Sequence, residues 1–172
     1  MIRALSRAFT LFLLFASLSF NASADDHAKK EEKKPKKKGN PIVEMQTTSG
    51  VITIELFEKE APITVANFLK YVDSGFFDGT IFHRVVPGFV IQGGGFTFDF
   101  QRKETLPPIK NESDNMLKNL KGTLSMARTA AIDSASSQFF INTKDNPNLD
   151  YRNKQHGYAV FGKVIKGFDV VK

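Results

Sequence analysis

The chain has 172 residues, 41% of them hydrophobic and 24% charged, which is the size and composition of a single globular domain. It contains no cysteine, so disulfide bonds and thiol chemistry are excluded. The net charge of +6 comes mainly from residues 1–40, because the rest of the chain has 15 basic and 14 acidic residues. A nearly neutral domain lacks the basic face that nucleic-acid binding requires, so we expect no nucleic-acid partner.

The first 24 residues have the pattern of a secretory signal peptide. Arg3 and Arg7 precede an almost wholly apolar run over residues 8–20, and small residues follow up to Ala24. The run is shorter than the roughly 20 residues of a membrane-spanning helix. We therefore predict a signal peptide over residues 1–24, export to the periplasm, and no stable membrane insertion after cleavage. A retained membrane anchor is the alternative.

Residues 25–40 combine seven lysines with four acidic residues and have no apolar face, which predicts a flexible, charged linker. A solvated spacer is the simplest interpretation, and contact with an acidic lipid or polymer is the alternative. Cleavage after Ala24 would leave Asp25-Asp26-His27 at the new terminus, where amine, amide and imidazole nitrogens suit Cu(II) or Ni(II). For the domain itself we predict no metal site, because its histidines are only His83 and His156, too few ligands for a metal cluster.

The folded domain is predicted to span residues 41–172. Residues 42–48 and 51–57 alternate apolar and polar side chains on either side of Ser49-Gly50, which predicts a hairpin with a two-residue turn. Residues 61–75 change to a helical period, with Pro62 in the first turn and an apolar face formed by Val65, Phe68, Leu69 and Val72. Further strands are predicted at about 80–92, 122–127, 137–142 and 158–165, a long loop over 97–119, and a second helix from Gly167.

One helix among six or more short antiparallel strands predicts a sheet that closes into a barrel. The three consecutive glycines at 93–95 allow the bends that closure requires. The 17 phenylalanines and the absence of tryptophan indicate a phenylalanine-packed core or an apolar pocket lined by rings.

Three polar side chains interrupt apolar strand segments: Arg84, Gln92 and Gln138. Arginine is rarely buried without a partner, and a buried amide needs hydrogen bonds. The three side chains are placed to form one polar row beside an apolar pocket. From the residues alone, this row is equally consistent with a functional site and with a structural network that joins two strands.

Four segments closely resemble the cyclophilins, a family of peptidyl-prolyl cis–trans isomerases: "FHRVVPGFVIQGGGF" (82–96), "SMART" (125–129), "SSQFFI" (136–141) and "YAVFGKV" (158–164). The resemblance implies a mainly β fold, a closed eight-stranded antiparallel barrel capped by two helices. It is greatest for the secreted bacterial members. The family usually continues for some tens of residues beyond the position of Lys172, so the resemblance also implies a C-terminally truncated domain.

The resemblance implies site residues by position. The catalytic set is Arg84, Gln92, Phe89 and Phe140, and the substrate-binding set is Val90, Ala127, Arg128, Thr129, Gln138, Leu149 and Tyr158. Val90 stands where the family often has methionine, Arg128 where eukaryotic members have asparagine, and Tyr158 where many members have histidine.

The implied activity is the acceleration of X–Pro isomerisation during the folding of exported proteins. In this mechanism Arg84 donates a hydrogen bond that stabilises the twisted amide, and neither a metal nor a cofactor is needed. The expected partners are proline-containing unfolded or partly folded polypeptides, and the expected oligomeric state is a monomer. The alternative is a proline-binding chaperone or scaffold that does not catalyse the reaction.

Overall fold

The computed structural model describes residues 39–172 and, for residues 2–4, the backbone. The strands are β1 (Ile2–Ala4), β2 (Ile42–Thr47), β3 (Gly50–Leu56), β4 (Arg84–Val86), β5 (Val90–Gly93), β6 (Thr123–Met126), β7 (Phe139–Asn142) and β8 (Val160–Lys166). The α helix of the described residues, α1, is Pro62–Asp73, and their 3₁₀ helices are Ser113–Asn115, Pro147–Leu149 and Phe168–Val171.

All strand pairs are antiparallel, in the order β1-β2-β3-β8-β6-β7-β5-β4. The seven strands that follow residue 40 form one curled sheet, and the short strand β1 pairs with the outer side of β2. This arrangement confirms the predicted mainly β fold. The predicted closure into an eight-stranded barrel is not confirmed, because β1 and β4 end the strand order of the described residues. The second predicted helix, from Gly167, is a single 3₁₀ helix there.

Two predicted strand boundaries were wrong. The first hairpin turns at Thr48 and Ser49, one residue earlier than predicted, since Thr47 pairs with Gly50. The predicted strand over 80–92 is two strands, because the chain turns between β4 and β5 at Pro87-Gly88. Proline has no N–H for the sheet, and Gly88 has a φ of 65°, which other residues rarely adopt.

Helix α1 covers the sheet with its apolar face. Its buried side chains are Thr64, Val65, Asn67, Phe68, Tyr71 and Val72. Leu69, which was predicted to be on this face, is only partly buried. At the first turn, the Glu112 carboxylate accepts the N–H groups of Ile63 and Thr64 at 3.1 and 2.8 Å, which satisfies two groups that have no partner within the helix.

Phenylalanine rings form the centre of the core, as the composition predicted. The ring centroid of Phe68 lies 5.2 Å from that of Phe77, 5.5 Å from that of Phe139 and 5.2 Å from that of Phe161. Phe68 belongs to α1, Phe139 to β7 and Phe161 to β8. The cluster therefore packs the helix against the middle of the sheet. One of its strands, β7, also carries Phe140.

The predicted domain limits at 1–24, 25–40 and 41–172 remain predictions, since residue 1 and residues 5–38 lie outside the described residues. Asp25-Asp26-His27 is among them. Within the part of the chain that the structure describes, no helix is long and apolar enough to cross a membrane. The same residues contain no group of three or more histidine and carboxylate side chains that would hold a metal ion.

Candidate active site

Three strands place the central side chains of the candidate site in one row. Arg84 of β4 lies opposite Gln92 of β5, and Gln92 lies opposite Phe140 of β7. Residues directly opposite each other in an antiparallel sheet project their side chains to the same face. The arginine, the amide and the aromatic ring therefore share one face of the sheet.

Nine of the predicted site residues line one cavity of about 140 Å³, the Arg84 cavity. They are Arg84, Phe89, Val90, Gln92, Ala127, Arg128, Phe140, Leu149 and Tyr158. Six of the nine are apolar or aromatic, and Arg84, Gln92 and Arg128 are the polar ones. The structure thus brings together residues that lie up to 74 positions apart in sequence, from position 84 to position 158.

Among the described residues, the Arg84 guanidinium has neither a hydrogen-bond acceptor nor an ion-pair partner, and it lines this cavity as a donor. Its side chain is exposed, and its central carbon lies 5.9 Å from the centroid of the Phe89 ring. Ion pairs in the described residues join Lys118 to Asp150 and Lys163 to Glu55, so no carboxylate there neutralises Arg84. Because the Arg84 side chain is exposed to solvent and not buried among its apolar neighbours, its charge does not require an ion-pair partner.

Buried asparagines hold the turn that carries Phe89, and the sequence analysis did not find them. The Phe89 carbonyl accepts the Asn146 side-chain amide at 3.0 Å and the Thr143 N–H at 2.9 Å. Asn146 also donates to the Asn142 side chain at 2.8 Å, and Asn142 donates to that of Asn119 at 3.3 Å. Since buried amides are costly unless they are hydrogen-bonded, this chain fixes Phe89 relative to β7.

The opposite wall of the Arg84 cavity is formed where two loops meet. The Tyr158 N–H donates to the Leu149 carbonyl at 2.9 Å, and the Tyr158 ring meets that of Phe140 edge-on with centroids 5.5 Å apart. Gly157 passes so close to the Leu149 segment that a Cβ would lie 2.3 Å from the Leu149 carbonyl oxygen. Only glycine fits there, so this residue sets how closely the two loops approach.

A second cavity, the Arg102 cavity, adjoins the first and has a volume of about 120 Å³. It is lined by Gln92, Arg102, Ala127, Arg128, Thr129, Ser134, Ser136 and Gln138. The two cavities share Gln92, Ala127 and Arg128. Part of the predicted polar row forms their boundary, because the Gln92 amide donates to Gln138 Oε1 at 3.0 Å.

Two predicted residues, Thr129 and Gln138, therefore line the Arg102 cavity and not the first one. Sequence analysis missed Arg102, Ser134 and Ser136 as lining residues. All three lie outside the strands and helices. Arg102 and Ser134 also lie outside the four distinctive motifs, whereas Ser136 begins the motif at 136–141 but was not singled out.

The Arg128 guanidinium is occupied by backbone carbonyls. It donates to Gly157 at 3.1 Å, to His156 at 2.8 Å and to Thr129 at 3.0 Å. Its central carbon also lies 4.9 Å from the Tyr158 ring centroid. Arg128 therefore holds the Tyr158 loop against the end of β6, and its own charged group is already engaged.

His83 lies outside both cavities, and its ring centroid is 4.6 Å from that of Phe96. Its Nδ1 is buried without a hydrogen-bond partner among the described residues. Burial holds the pKa of His83 below its usual value of 6.5; the neighbouring Ile81 backbone opposes this shift, and the nearby Arg84 charge adds to it.

A lowered His83 pKa predicts a loss of stability in mild acid. In the unfolded chain the imidazole takes up a proton near pH 6.5, whereas in the folded chain it does so only at lower pH. The contribution of the neutral His83 to the free energy of unfolding is thus fully present above pH 6.5 and is lost as the pH falls below this value. We expect His83→Phe to reduce the fall in unfolding midpoint between pH 7.5 and pH 5.5. An unchanged fall in the variant would show that His83 is not responsible.

Two larger cavities lie elsewhere on the molecule. One, of about 430 Å³, is lined by residues that include Phe77, Phe82 and Phe139 and has no charged side chain. The other, of about 420 Å³, lies beside Val85 and Lys121. Neither includes a predicted site residue, so size alone does not mark the candidate site.

Comparison with protein families gives a match over residues 42–172 to the family described as "Cyclophilin type peptidyl-prolyl cis-trans isomerase/CLD". Peptidyl-prolyl cis-trans isomerase A of Dickeya dadantii is 58% identical over 126 residues, which are 73% of this chain and 66% of that protein. Peptidyl-prolyl cis-trans isomerase B of Escherichia coli is 51% identical over 133 residues, 76% of this chain and 81% of that protein.

Solved structures with a similar fold belong to the same family as these relatives. A cyclophilin-type isomerase of Cryptosporidium parvum, crystallised in the presence of the dipeptide Ala-Pro, has a TM-score of 0.62 and 32% identity over 74% of this chain and 80% of its own. A cyclophilin from Hirschia baltica has a TM-score of 0.68 and 27% identity over 76% and 66% of the two chains. The sequence match and the shared fold together confirm the predicted enzyme class: this chain belongs to the cyclophilin-type peptidyl-prolyl cis–trans isomerase family.

Proposed function

We propose that this chain accelerates the isomerisation of X–Pro bonds in exported polypeptides, with Arg84 as the electrostatic catalyst. The observation that carries the proposal is the free Arg84 guanidinium at the rim of a cavity lined by Phe89, Phe140 and Leu149. The rings and aliphatic side chains of this cavity suit a proline ring, and the guanidinium supplies a charged donor beside them.

The chemistry needs no covalent step. Amide resonance opposes rotation with a barrier of about 18–20 kcal/mol. Twisting the X–Pro bond breaks this resonance and localises a lone pair on the proline nitrogen. A hydrogen bond from Arg84 to that nitrogen stabilises the twisted form more than either planar form, which is the condition for catalysis. Arginine stays protonated at every relevant pH, so no proton transfer is required.

The other site residues have supporting roles in this proposal. Val90 and Phe140 form the floor against which the proline ring rests. Gln92 donates a hydrogen bond to Gln138, and the side-chain amide atoms that this bond does not use are available to the substrate backbone. The segment Ala127–Thr129 supplies the strand edge along which an extended peptide lies, and Arg128 keeps this edge in place through its bonds to the Tyr158 loop.

An isomerisation assay on a short X–Pro peptide tests the proposal. Acceleration that needs no added metal or cofactor supports an enzyme. Binding of the peptide without acceleration would instead support the non-catalytic proline-binding chaperone or scaffold. Size-exclusion chromatography with light scattering checks the proposed monomer.

We further propose that the enzyme acts in the periplasm, on proteins that fold there after export. The support is the signal-peptide pattern of residues 1–24 and the charged linker over residues 25–40. We expect the protein recovered from a periplasmic fraction to have a mass that corresponds to a chain starting at Asp25. A mass that retains Arg3 and Arg7 would indicate a membrane anchor instead.

A further inference from the structure

Two aromatic side chains stand out from the surface beside the candidate site. Phe98 is 81% exposed and Phe100 is 66% exposed, and both lie at the tip of residues 96–102, the Phe98 loop. Single exposed apolar residues are common, whereas two exposed aromatic residues in one tight loop form an apolar feature of the kind found at interaction surfaces.

The exposure is imposed by the fold of the loop. The Thr97 N–H donates to the Gln101 carbonyl at 3.0 Å, and the Phe100 N–H donates to the Thr97 carbonyl at 2.9 Å. Phe96 and Arg102 pair at the base of the loop. Phe100 has a φ of 60°, a left-handed conformation that is unfavourable for a bulky residue. The loop thus adopts a backbone conformation that is unfavourable at Phe100 and in which both rings are exposed to water.

The base of the Phe98 loop is part of the candidate site. Arg102 lines the Arg102 cavity together with Gln92 and Gln138. Gly95, directly before the loop, lies so close to Gln138 that a Cβ would be 2.6 Å from Gln138 Cγ. The loop that carries the exposed rings is therefore joined at its base to the wall of the Arg102 cavity, which adjoins the Arg84 cavity.

The chemistry of the loop tip favours a polypeptide over a membrane. Asp99 stands between Phe98 and Phe100 in the sequence, and a hydrogen bond from the Thr97 hydroxyl keeps the pKa of this carboxyl below its usual value. An ionised carboxylate opposes contact with acidic lipid. Aromatic rings on an ordered loop bind apolar side chains with little loss of conformational entropy.

We propose that the Phe98 loop binds a large apolar side chain of the same polypeptide whose X–Pro bond occupies the Arg84 cavity. The preferred substrates are then unfolded chains with an aromatic or large aliphatic residue several positions from the proline. This inference rests on the proposed isomerase function and adds a substrate class to it.

The test compares the double variant F98S/F100S with the wild type on two kinds of peptide substrate. One is a tetrapeptide with small residues around X–Pro, and the other is a set of twelve-residue peptides that place phenylalanine at different distances on either side of the proline. We expect the variant to lose about tenfold in kcat/KM on at least one phenylalanine-containing long peptide, through KM, and to keep wild-type kcat/KM on the tetrapeptide. The matched control is V51S/I63S, which removes two residues that are 47% and 44% exposed and line neither cavity.

Equal kcat/KM of F98S/F100S and wild type on every long peptide would overturn the inference and leave the isomerase function intact. If the wild type does not turn over the tetrapeptide, the proposed function fails. Fluorescence anisotropy with labelled long peptides then still decides the inference, because binding that weakens in F98S/F100S does not depend on turnover. A third outcome is that the wild type binds anionic vesicles, F98S/F100S does not, and both have the same peptide affinity. This result would show that the two rings bind lipid, and it would also overturn the inference.

Discussion

Arg84→Ala is expected to lower kcat/KM for a short X–Pro peptide by about 100-fold or more, the usual cost of removing one preorganised donor to a transition state. Arg84 has no carboxylate partner among the described residues, so the substitution breaks no ion pair there. The apolar wall made by Phe140, Leu149 and Tyr158 remains, so the peptide dissociation constant should change by only a few-fold. Exchange between cis and trans forms measured by NMR, with binding measured on the same samples, checks both expectations.

Two further variants make the Arg84 result specific. Arg84→Lys keeps the positive charge but loses the planar, rigid set of donors, so we expect an intermediate rate. Arg152→Ala removes an exposed arginine that lines neither cavity and should leave the rate unchanged. An Arg84→Ala protein with the wild-type rate would eliminate the electrostatic mechanism. Equal losses in rate and in peptide affinity would show that Arg84 binds substrate and does not act on the twisted amide.

Local patterns predicted the elements of the fold better than their assembly. The alternation around Ser49 and the helical period after Pro62 lead directly to the hairpin β2–β3 and to α1, because each depends on residues close in sequence. The apolar run over 80–92 misled the prediction, since its hydrophobicity is continuous through Pro87-Gly88 although the chain turns there. Turn residues should have had more weight than hydrophobicity at that point.

Ten of the eleven predicted site residues lie within the four distinctive motifs, with Leu149 as the exception, and the structure places all eleven around two adjoining cavities. The contacts that position them were not predicted. The Asn146 contact with the Phe89 carbonyl joins positions 57 apart, and the Arg128 contact with Gly157 joins positions 29 apart. Such contacts depend on the register of strands and loops, which no local pattern of one sequence specifies.

The core gives the largest expected effect on stability. Phe68→Ala should lower the free energy of unfolding by about 3–5 kcal/mol, because it removes a buried ring and leaves a cavity. The side chain is 1% exposed and contacts the rings of Phe77, Phe139 and Phe161. Urea denaturation monitored by circular dichroism gives the change. Phe98→Ala is the matched control, since the same substitution at an 81% exposed position should alter stability by at most about 0.5 kcal/mol.

Phe68→Ala also tests how far the site depends on the core. Phe139 touches Phe68 from β7, and the next residue along that strand is Phe140, which lines the Arg84 cavity. If the ring cluster fixes the position of β7, the folded fraction of Phe68→Ala should have a higher KM for the X–Pro peptide, whereas Phe98→Ala keeps the wild-type value on a tetrapeptide. A loss of stability below about 1 kcal/mol would mean that the surrounding rings close the cavity, and the cluster would then not be the element that holds α1 to the sheet.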